Sequence, residues 1–398
     1  SDLVTGAPYY DVLNHQFKRI ENQTDWIVNN KLNVLMGGGV VWEGVKSNRY
    51  NSENIRKTNS IQYGFTQMEW TPNKKLTLIG GLRFDKNDAF ASAFSPKISG
   101  LYKLNSQHKF KFSLGEGFKA PDFRQMYLDF TNAAAGSYSV FGAVEAQKVI
   151  SKLNQLGQIG NLFSNYYQLK KLEPEYATGI HLSAEWEPNQ SNEIQVQLFR
   201  NDINNLIDVQ QVGNYISGSQ IYSYLNIKNA YTTGLEIETK QKYNSHWSSN
   251  FGYQFLVTGD KDQIELIKSG IIYTKNADGT SRRLNMSDYV GLPNTSKHKV
   301  QLRLNYENKN GSYANIRFNY RSKWAVTNNN GNEVFDKGDL FGKGYFTLNY
   351  SMGKQFKNGI TIQGGSDNIN NYIDGLNLPN LAGRTFYMIF KYTINKKQ

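Results

Sequence analysis

The chain has 398 residues, 45 Lys+Arg against 33 Asp+Glu for a formal charge of +12, and no Cys. No run approaches the ~18 consecutive apolar residues of a membrane-crossing helix, so a helical membrane protein is excluded. Without Cys there is no disulfide framework, thiol nucleophile or thiolate metal site, and five scattered His in no HxxxH or HxH pair leave no zinc signature.

The chain opens SDLVTGAPYY, without a basic stretch and apolar core. A signal peptide is therefore not expected here, and either a removed leader or a start within a larger protein follows. From there period-2 alternation dominates. Ile20, Trp26 and Val28 alternate with Arg19, Glu21, Gln23 and Asp25. Leu76, Leu78, Leu82 and Phe84 alternate with Thr77, Arg83 and Asp85, and Phe110, Phe112 and Leu114 with Lys109, Lys111 and Ser113. Further on, Val300, Leu302 and Leu304 alternate with Lys299, Gln301 and Arg303, and Phe386, Met388 and Phe390 with Thr385 and Lys391. In a strand such sets face opposite sides.

This pattern predicts about fifteen strands. They span 12–28, 31–47, 57–71, 74–88, 93–104, 107–118, 175–187, 191–209, 221–242, 246–258, 297–307, 311–324, 344–355, 358–369 and 383–395. Most exceed the ~5–6 residues usual in soluble sheets and reach the ~9–11 needed to cross a bilayer at a tilt. Short turns such as Asn29-Asn30-Lys31 and Asn105-Ser106-Gln107 alternate with long loops at 48–56, 119–174, 210–220, 259–296, 325–343 and 370–382. In the longest loop, Val144, Val149, Ile150, Leu153 and Leu156 fall at helical spacing, which predicts a short helix near 143–157.

The expected fold is all-β: a transmembrane antiparallel β-barrel occupying 1–398 as one domain, with long extracellular loops and short periplasmic turns. Its apolar faces meet lipid and its charged faces line the lumen. Trp26, Trp42, Trp70, Trp186, Trp247 and Trp324 near strand ends fit interfacial girdles. An odd strand count cannot close antiparallel on itself. A parent barrel of about 22 strands would lack roughly seven here, most simply from the N-terminus.

The residues resemble the C-terminal part of the barrel of TonB-dependent outer-membrane receptors. Phe94-Ser95-Pro96-Lys97 with Gly100-Leu101-Tyr102 resembles that family's "SPR…G..Y" strand, and Gly117-Phe118-Lys119-Ala120-Pro121 its "GFRAP" element. Leu172-Glu173-Pro174-Glu175, Leu198–Ile203 with Leu206-Ile207, and Asn226…Ala230…Gly234-Leu235-Glu236 continue the likeness, in order. Asp367–Tyr372 and Gly383-Arg384-Thr385-Phe386 complete it. The family's plug and TonB box have no counterpart, and Asn395–Gln398 replace its terminal aromatic. The haem-uptake branch carries a His in the stretch corresponding to 122–174, where this chain has none.

The resemblance implies active import of a scarce, bulky nutrient of iron-chelate, cobalamin or haem type across a Gram-negative outer membrane. The expected partners are that ligand, outer-membrane lipid, the TonB complex acting through a plug outside this chain, and an accessory surface lipoprotein. A bulky ligand needs aromatic surface with a few directed polar groups. The candidate substrate-binding residues are Arg124, Tyr127, Phe130, Tyr138, Phe141, Tyr166 and Tyr167 in loop 119–174, with Trp324, Asn328 and Asn329 from another loop. Tyr166 or Tyr167 is chemically able to ligate iron.

No catalytic constellation, cofactor motif or metal site is expected. Gly37-Gly38-Gly39 lacks the Lys-Ser/Thr of a phosphate loop and reads as a close approach within a strand. Basic residues spread over every strand among acids fit a lumen wall better than nucleic-acid binding. Asp260, Asp262, Asp278 and Asp288 read as solvated loop charge before a calcium site. The alternatives are a passive porin, which needs an even, self-closing strand set, and a soluble β-rich binding protein.

Overall fold

The computed structural model describes residues 12–50, 55–88, 90–132, 138–227, 229–275, 279–328, 332 and 334–393. Six wall strands come first: β1 (Leu13–Asn29), β2 (Leu32–Ser47), β3 (Lys57–Asn73), β4 (Leu76–Asn87), β5 (Ala93–Lys103) and β6 (His108–Lys119). The loop after them holds α1 (Phe123–Tyr127), β7 (Asp129–Asn132), β8 (Tyr138–Phe141), α2 (Ala143–Gln155), β9 (Ile159–Leu162) and a 3-10 turn, Ser164–Gln168. The wall resumes with β10 (Glu175–Asn189) and β11 (Asn192–Asn204), then leaves again for β12 (Ile207–Tyr215) and β13 (Gln220–Asn226). β14 (Ala230–Lys242) and β15 (Trp247–Asp260) return to it. The next loop carries α3 (Lys261–Lys268), β16 (Tyr273–Lys275) and β17 (Ser281–Arg283). After β18 (His298–Glu307) and β19 (Ser312–Arg321) come the short β20 (Trp324–Thr327) and β21 (Leu340–Gly342). β22 (Tyr345–Gln355), β23 (Ile360–Asp367) and β24 (Thr385–Tyr392) finish the wall.

The wall is one 15-stranded sheet in the order β1-β2-β3-β4-β5-β6-β10-β11-β14-β15-β18-β19-β22-β23-β24. Every neighbouring pair is antiparallel, as β1–β2, β11–β14 and β23–β24 illustrate. Among the described residues β1 and β24 are its two free edges, and with an odd count they point the same way.

The short turns share one device. An Asn side-chain oxygen accepts the backbone N–H two residues on, which closes the turn without a second residue type. Asn29 accepts from Lys31 (2.9 Å), Asn73 from Lys75 (2.9 Å), Asn105 from Gln107 (2.9 Å), Asn189 from Ser191 (2.9 Å) and Asn244 from His246 (2.8 Å). Gly311 holds φ +85° in the β18–β19 turn, where a Cβ would stand 2.2 Å from the Gln355 carbonyl oxygen, so only glycine fits.

Register assigns the faces. The row Leu235, Phe255 and the row Tyr253, Val300, Tyr320, Phe346 point outward, as do Leu302 and Phe318. Leu302 is 43% exposed, an apolar side chain in the open as lipid contact requires. Trp26, Trp70, Trp186 and Trp247 are exposed beside the short turns, with Trp247 4.9 Å from the Tyr306 ring. Trp324 is corrected: it is 2% exposed and packs in the loops, so it belongs to no girdle.

Three strand boundaries also differ. The run 191–209 ends in the wall at Asn204, because Asn205 takes a left-handed φ of 57° and turns the chain out. The run 221–242 is two strands, β13 in the loops and β14 in the wall. The run 311–324 stops at Arg321. Ile394 and Asn395–Gln398 lie outside the described residues.

The Gly37-Gly38-Gly39 run lies in β2. A Cβ on Gly37 would meet Phe65 Cζ at 2.6 Å, and one on Gly39 the Tyr63 hydroxyl at 2.7 Å. Both rings lie flat across β2 on the lumen side. Arg19 Nε there donates to the Tyr63 hydroxyl (3.0 Å), which donates to Glu21. Arg83 stacks on Tyr63 at 4.2 Å and forks onto Asp85 at 2.8 and 2.6 Å.

Candidate functional site

The long-loop end of the wall carries a second sheet, in the order β7-β8-β13-β12-β9, with β8 and β13 parallel. Pro121 and a capping box start α1: Gln125 N–H donates to Asp122 Oδ1 (2.7 Å), and the Gln125 side chain accepts from the Asp122 N–H (2.9 Å). On α2, Ala146 and Ile150 face Phe141, Val212, Ile221 and Leu225 in a buried cluster. Two sequence-distant loops, the one between β6 and β10 and the one between β11 and β14, are thereby held as one packed layer.

Between α1, α2 and the segment before β10 lies a cavity of ≈ 390 Å³ lined by Phe90, Met126, Tyr127, Val144, Lys170 and Lys171. Cations sit on its aromatic faces. Lys57 Nζ is 4.7 Å from the Tyr127 ring centroid and 3.6 Å from Glu145, and Lys171 Nζ is 6.0 Å from the Phe90 ring. Burial, followed by Glu145, raises the Tyr127 phenol above its ordinary pKa. The same two causes, in that order, raise the Asp129 carboxyl. The recess thus joins aromatic surface to lysine side chains, of which Lys57 pairs with Glu145 and Lys170 with Glu173.

The sequence-predicted residues divide. Tyr127 lines the recess, and Arg124 is exposed on α1 outside its lining. Phe130 and Tyr138 meet edge-to-face at 6.2 Å, and Tyr138 meets Tyr222 at 6.3 Å, with Arg49 5.0 Å over Phe130. Tyr166 packs on the loop core, its hydroxyl 3.1 Å from Ser151. Tyr167 is 75% exposed on the far side of that pair. Phe141 and Trp324 are corrected: each is 2% exposed and serves as core, with no surface to offer a ligand. Asn328 donates to the Val334 carbonyl (2.9 Å) and shapes its own loop, while Asn329 lies outside the described residues.

Sequence reasoning missed Lys57, Phe90, Lys170, Lys171 and Tyr222. Lys57 and Phe90 flank neighbouring strands, and only the loop fold brings them to α1. Of the acidic loop residues, Asp260 caps α3 by accepting from Asp262 N–H (2.9 Å). Asp288 pairs with Arg282 at 2.7 Å. Asp278 lies outside the described residues.

Below the loops the lumen face is basic on one side. Lys299 stands opposite Arg321, and Arg303 opposite Arg317. No ion pair engages these four among the described residues. Arg321 instead donates to Ser296 Oγ (2.6 Å) and the Asn294 carbonyl (2.7 Å) and stacks on Trp324 at 4.2 Å. A recess of ≈ 490 Å³ opens here, lined by Glu236, Gln254, Lys299, Gln301, Asn319 and Arg321.

The sequence profile described as "TonB dependent receptor-like, beta-barrel" matches residues 3–369. The chain belongs to that family. This places its wall in the outer membrane of a Gram-negative cell, as the sheet and its lipid face require. It is 28% identical over 90 residues to the "Iron-regulated outer membrane virulence protein" of Vibrio cholerae, covering 23% of this chain and 14% of that one. It superimposes on the siderophore receptor PirA of Pseudomonas aeruginosa with a TM-score of 0.64 at 14% identity, over 95% of this chain and 57% of that one. The ferric enterobactin receptor PfeA of Pseudomonas aeruginosa gives 0.66 at 15%, over 96% and 54%. The chain thus spans a little over half the length of these structures and a smaller share of the Vibrio cholerae relative.

Proposed function

We propose that this family member forms the wall and most of the ligand-binding loops of an outer-membrane receptor that captures an anionic iron chelate and passes it inward. The observation that carries this reading is the loop recess lined by Lys170, Lys171, Tyr127 and Phe90, with Lys171 over the Phe90 ring and Lys57 over the Tyr127 ring. A ferric chelate with ionised oxygen donors and aromatic or amide surface meets both features at once. Lys299, Arg303, Arg317 and Arg321, which form no ion pair among the described residues, continue the positive field down the lumen, where a low-dielectric wall focuses it. The relatives' names, an iron-regulated outer-membrane protein and siderophore receptors, point the same way.

In this reading the barrel closes through further strands, because first and last strands that run parallel cannot complete an antiparallel ring. Release of the ligand is driven by the TonB complex through a plug seated against the lumen face. A surface lipoprotein that hands over the ligand belongs to the same scheme.

The test is binding and cellular uptake of a panel of ferric catecholates, ferric hydroxamates and cobalamin, with Tyr127→Ala and Tyr138→Ala combined. Loss of binding to one anionic ferric chelate supports the reading. Binding and uptake unchanged for every ligand that the wild type takes would place the site elsewhere.

A further inference from the structure

A recess that holds unmatched charge of both signs suits a ligand that carries both. The lumen recess beside Lys299 and Arg321 is such a place. Register sets its side chains in two adjoining rows. One row is Glu236, Gln254, Lys299 and Arg321, on β14, β15, β18 and β19. The next, on the same strands, is Glu238, Gly252, Gln301 and Asn319. Both acids stand on one flank and both cations on the other. Among the described residues Glu236, Glu238, Lys299 and Arg321 form no ion pair. Glu236 accepts instead from the amides of Gln254 (2.7 Å) and Gln197 (3.5 Å).

Strand spacing fixes the distance between the flanks. Glu236 and Arg321 are three strand spacings apart, about 14 Å, and Glu236 and Lys299 two, about 10 Å. Neutral carboxamides floor the interval, with Gln301 donating to Asn319 Oδ1 (3.2 Å). Gly252 adds depth, because the space where its Cβ would stand is open. At ≈ 490 Å³ the recess has the size of a small-molecule site, about 300–1,000 Å³. Each flank attracts the opposite charge, and a carboxamide both donates to and accepts from a peptide group. An anion alone meets the β18–β19 flank and leaves the β14 flank unmatched. An extended peptide rises about 3.3 Å per residue, so three residues hold an ammonium and a carboxylate about 10 Å apart.

We propose that this recess binds a short zwitterionic peptide of about three residues, with its N-terminal ammonium at Glu236 and Glu238, its C-terminal carboxylate at Lys299 and Arg321, and its amides on Gln254 and Gln301. The site is separate from the Tyr127 recess and does not rest on the iron-chelate reading.

The experiment titrates the protein, purified from its own outer membrane, with trialanine at neutral pH and low salt in a calorimeter. Wild type binds trialanine saturably. N-acetyl-trialanine and trialanine amide, each lacking one terminal charge, bind at least about tenfold more weakly. Glu238→Gln lowers trialanine affinity about tenfold and leaves N-acetyl-trialanine, which has no ammonium, unchanged. Lys299→Gln lowers it by about the same factor and leaves trialanine amide, which has no carboxylate, unchanged. Absence of saturable trialanine binding to the wild type overturns the proposal, as does equal binding of the three peptides. An equal loss for all three in both variants also overturns it. Where a variant does not fold, the wild-type comparison of the three peptides decides. No iron chelate enters the readout, so this proposal and the chelate reading fail separately.

Discussion

The Tyr63 ring lies against Gly39, whose missing Cβ would fall 2.7 Å from the Tyr63 hydroxyl and 2.5 Å from the Ile20 carbonyl oxygen. The glycine leaves a flat floor on which Tyr63 reaches both Arg19 and Glu21. Gly39→Val is expected to lower stability by about 1–3 kcal/mol, because backbone on one side cannot yield. Thermal unfolding in detergent reads this out. Gly80→Val, with open space around the built Cβ, is the control and stays within ~1 kcal/mol.

Leu302 sits mid-wall on the outward face between Phe251 and Phe318. Leu302→Arg is expected to cost roughly 2–4 kcal/mol in a bilayer. Gln301→Arg, one residue away on the lumen face, costs less than about 1 kcal/mol. Equal effects in vesicle-refolding titrations would refute the assignment of faces.

Arg303 and Arg317 face each other without an acid between them. Like charges directly opposite destabilise a pair by about 0.2–1 kcal/mol, so Arg303→Gln should stabilise the empty wall by that amount at low salt, and less at high salt. Uptake of an anionic chelate should fall in the same variant. A rise in both stability and uptake would remove the ladder from the transport path.

Asp288 is held below the ordinary carboxylate range, first by its hydrogen bond from Arg282 and then by the Asn285 N–H. A lowered folded pKa means stability present above the unfolded value of 3.8 and lost as pH falls through the folded one. Hydrogen exchange across 279–290 should therefore accelerate only below about pH 4. Asp288→Asn should show the acid-state rate at neutral pH. An unchanged rate in that variant would show that the Arg282 pair does not hold the loop.

The wall was legible because each of its strands solves the same problem. One face meets lipid and the other water, so Val300, Leu302 and Leu304 must alternate with Lys299, Gln301 and Arg303. Asn at the short turns marks where each hairpin reverses. The family likeness rests on the same ordered elements.

The departure of β12 and β13 from the wall was not legible. Ile207, Val209 and Tyr222, Tyr224 alternate with polar neighbours as wall residues do. What removes them is the parallel pairing of β13 with β8 and the Ser223 hydroxyl donating to the Phe141 carbonyl (2.8 Å), 82 residues away. Trp324 has the composition of a girdle residue, yet Gly342 lets it sink under β21, where a Cβ would stand 2.4 Å from its ring.

By itself the sequence determined the all-β wall, its strand number, its inner and outer faces and its turns, since local alternation and short-range Asn bonds encode them. Only the tertiary structure decided which loop aromatics are surface and which are core. It alone brought Lys57, Phe90 and Lys171 to Tyr127. Those contacts join segments far apart in the chain, and no periodicity reports a partner that distant.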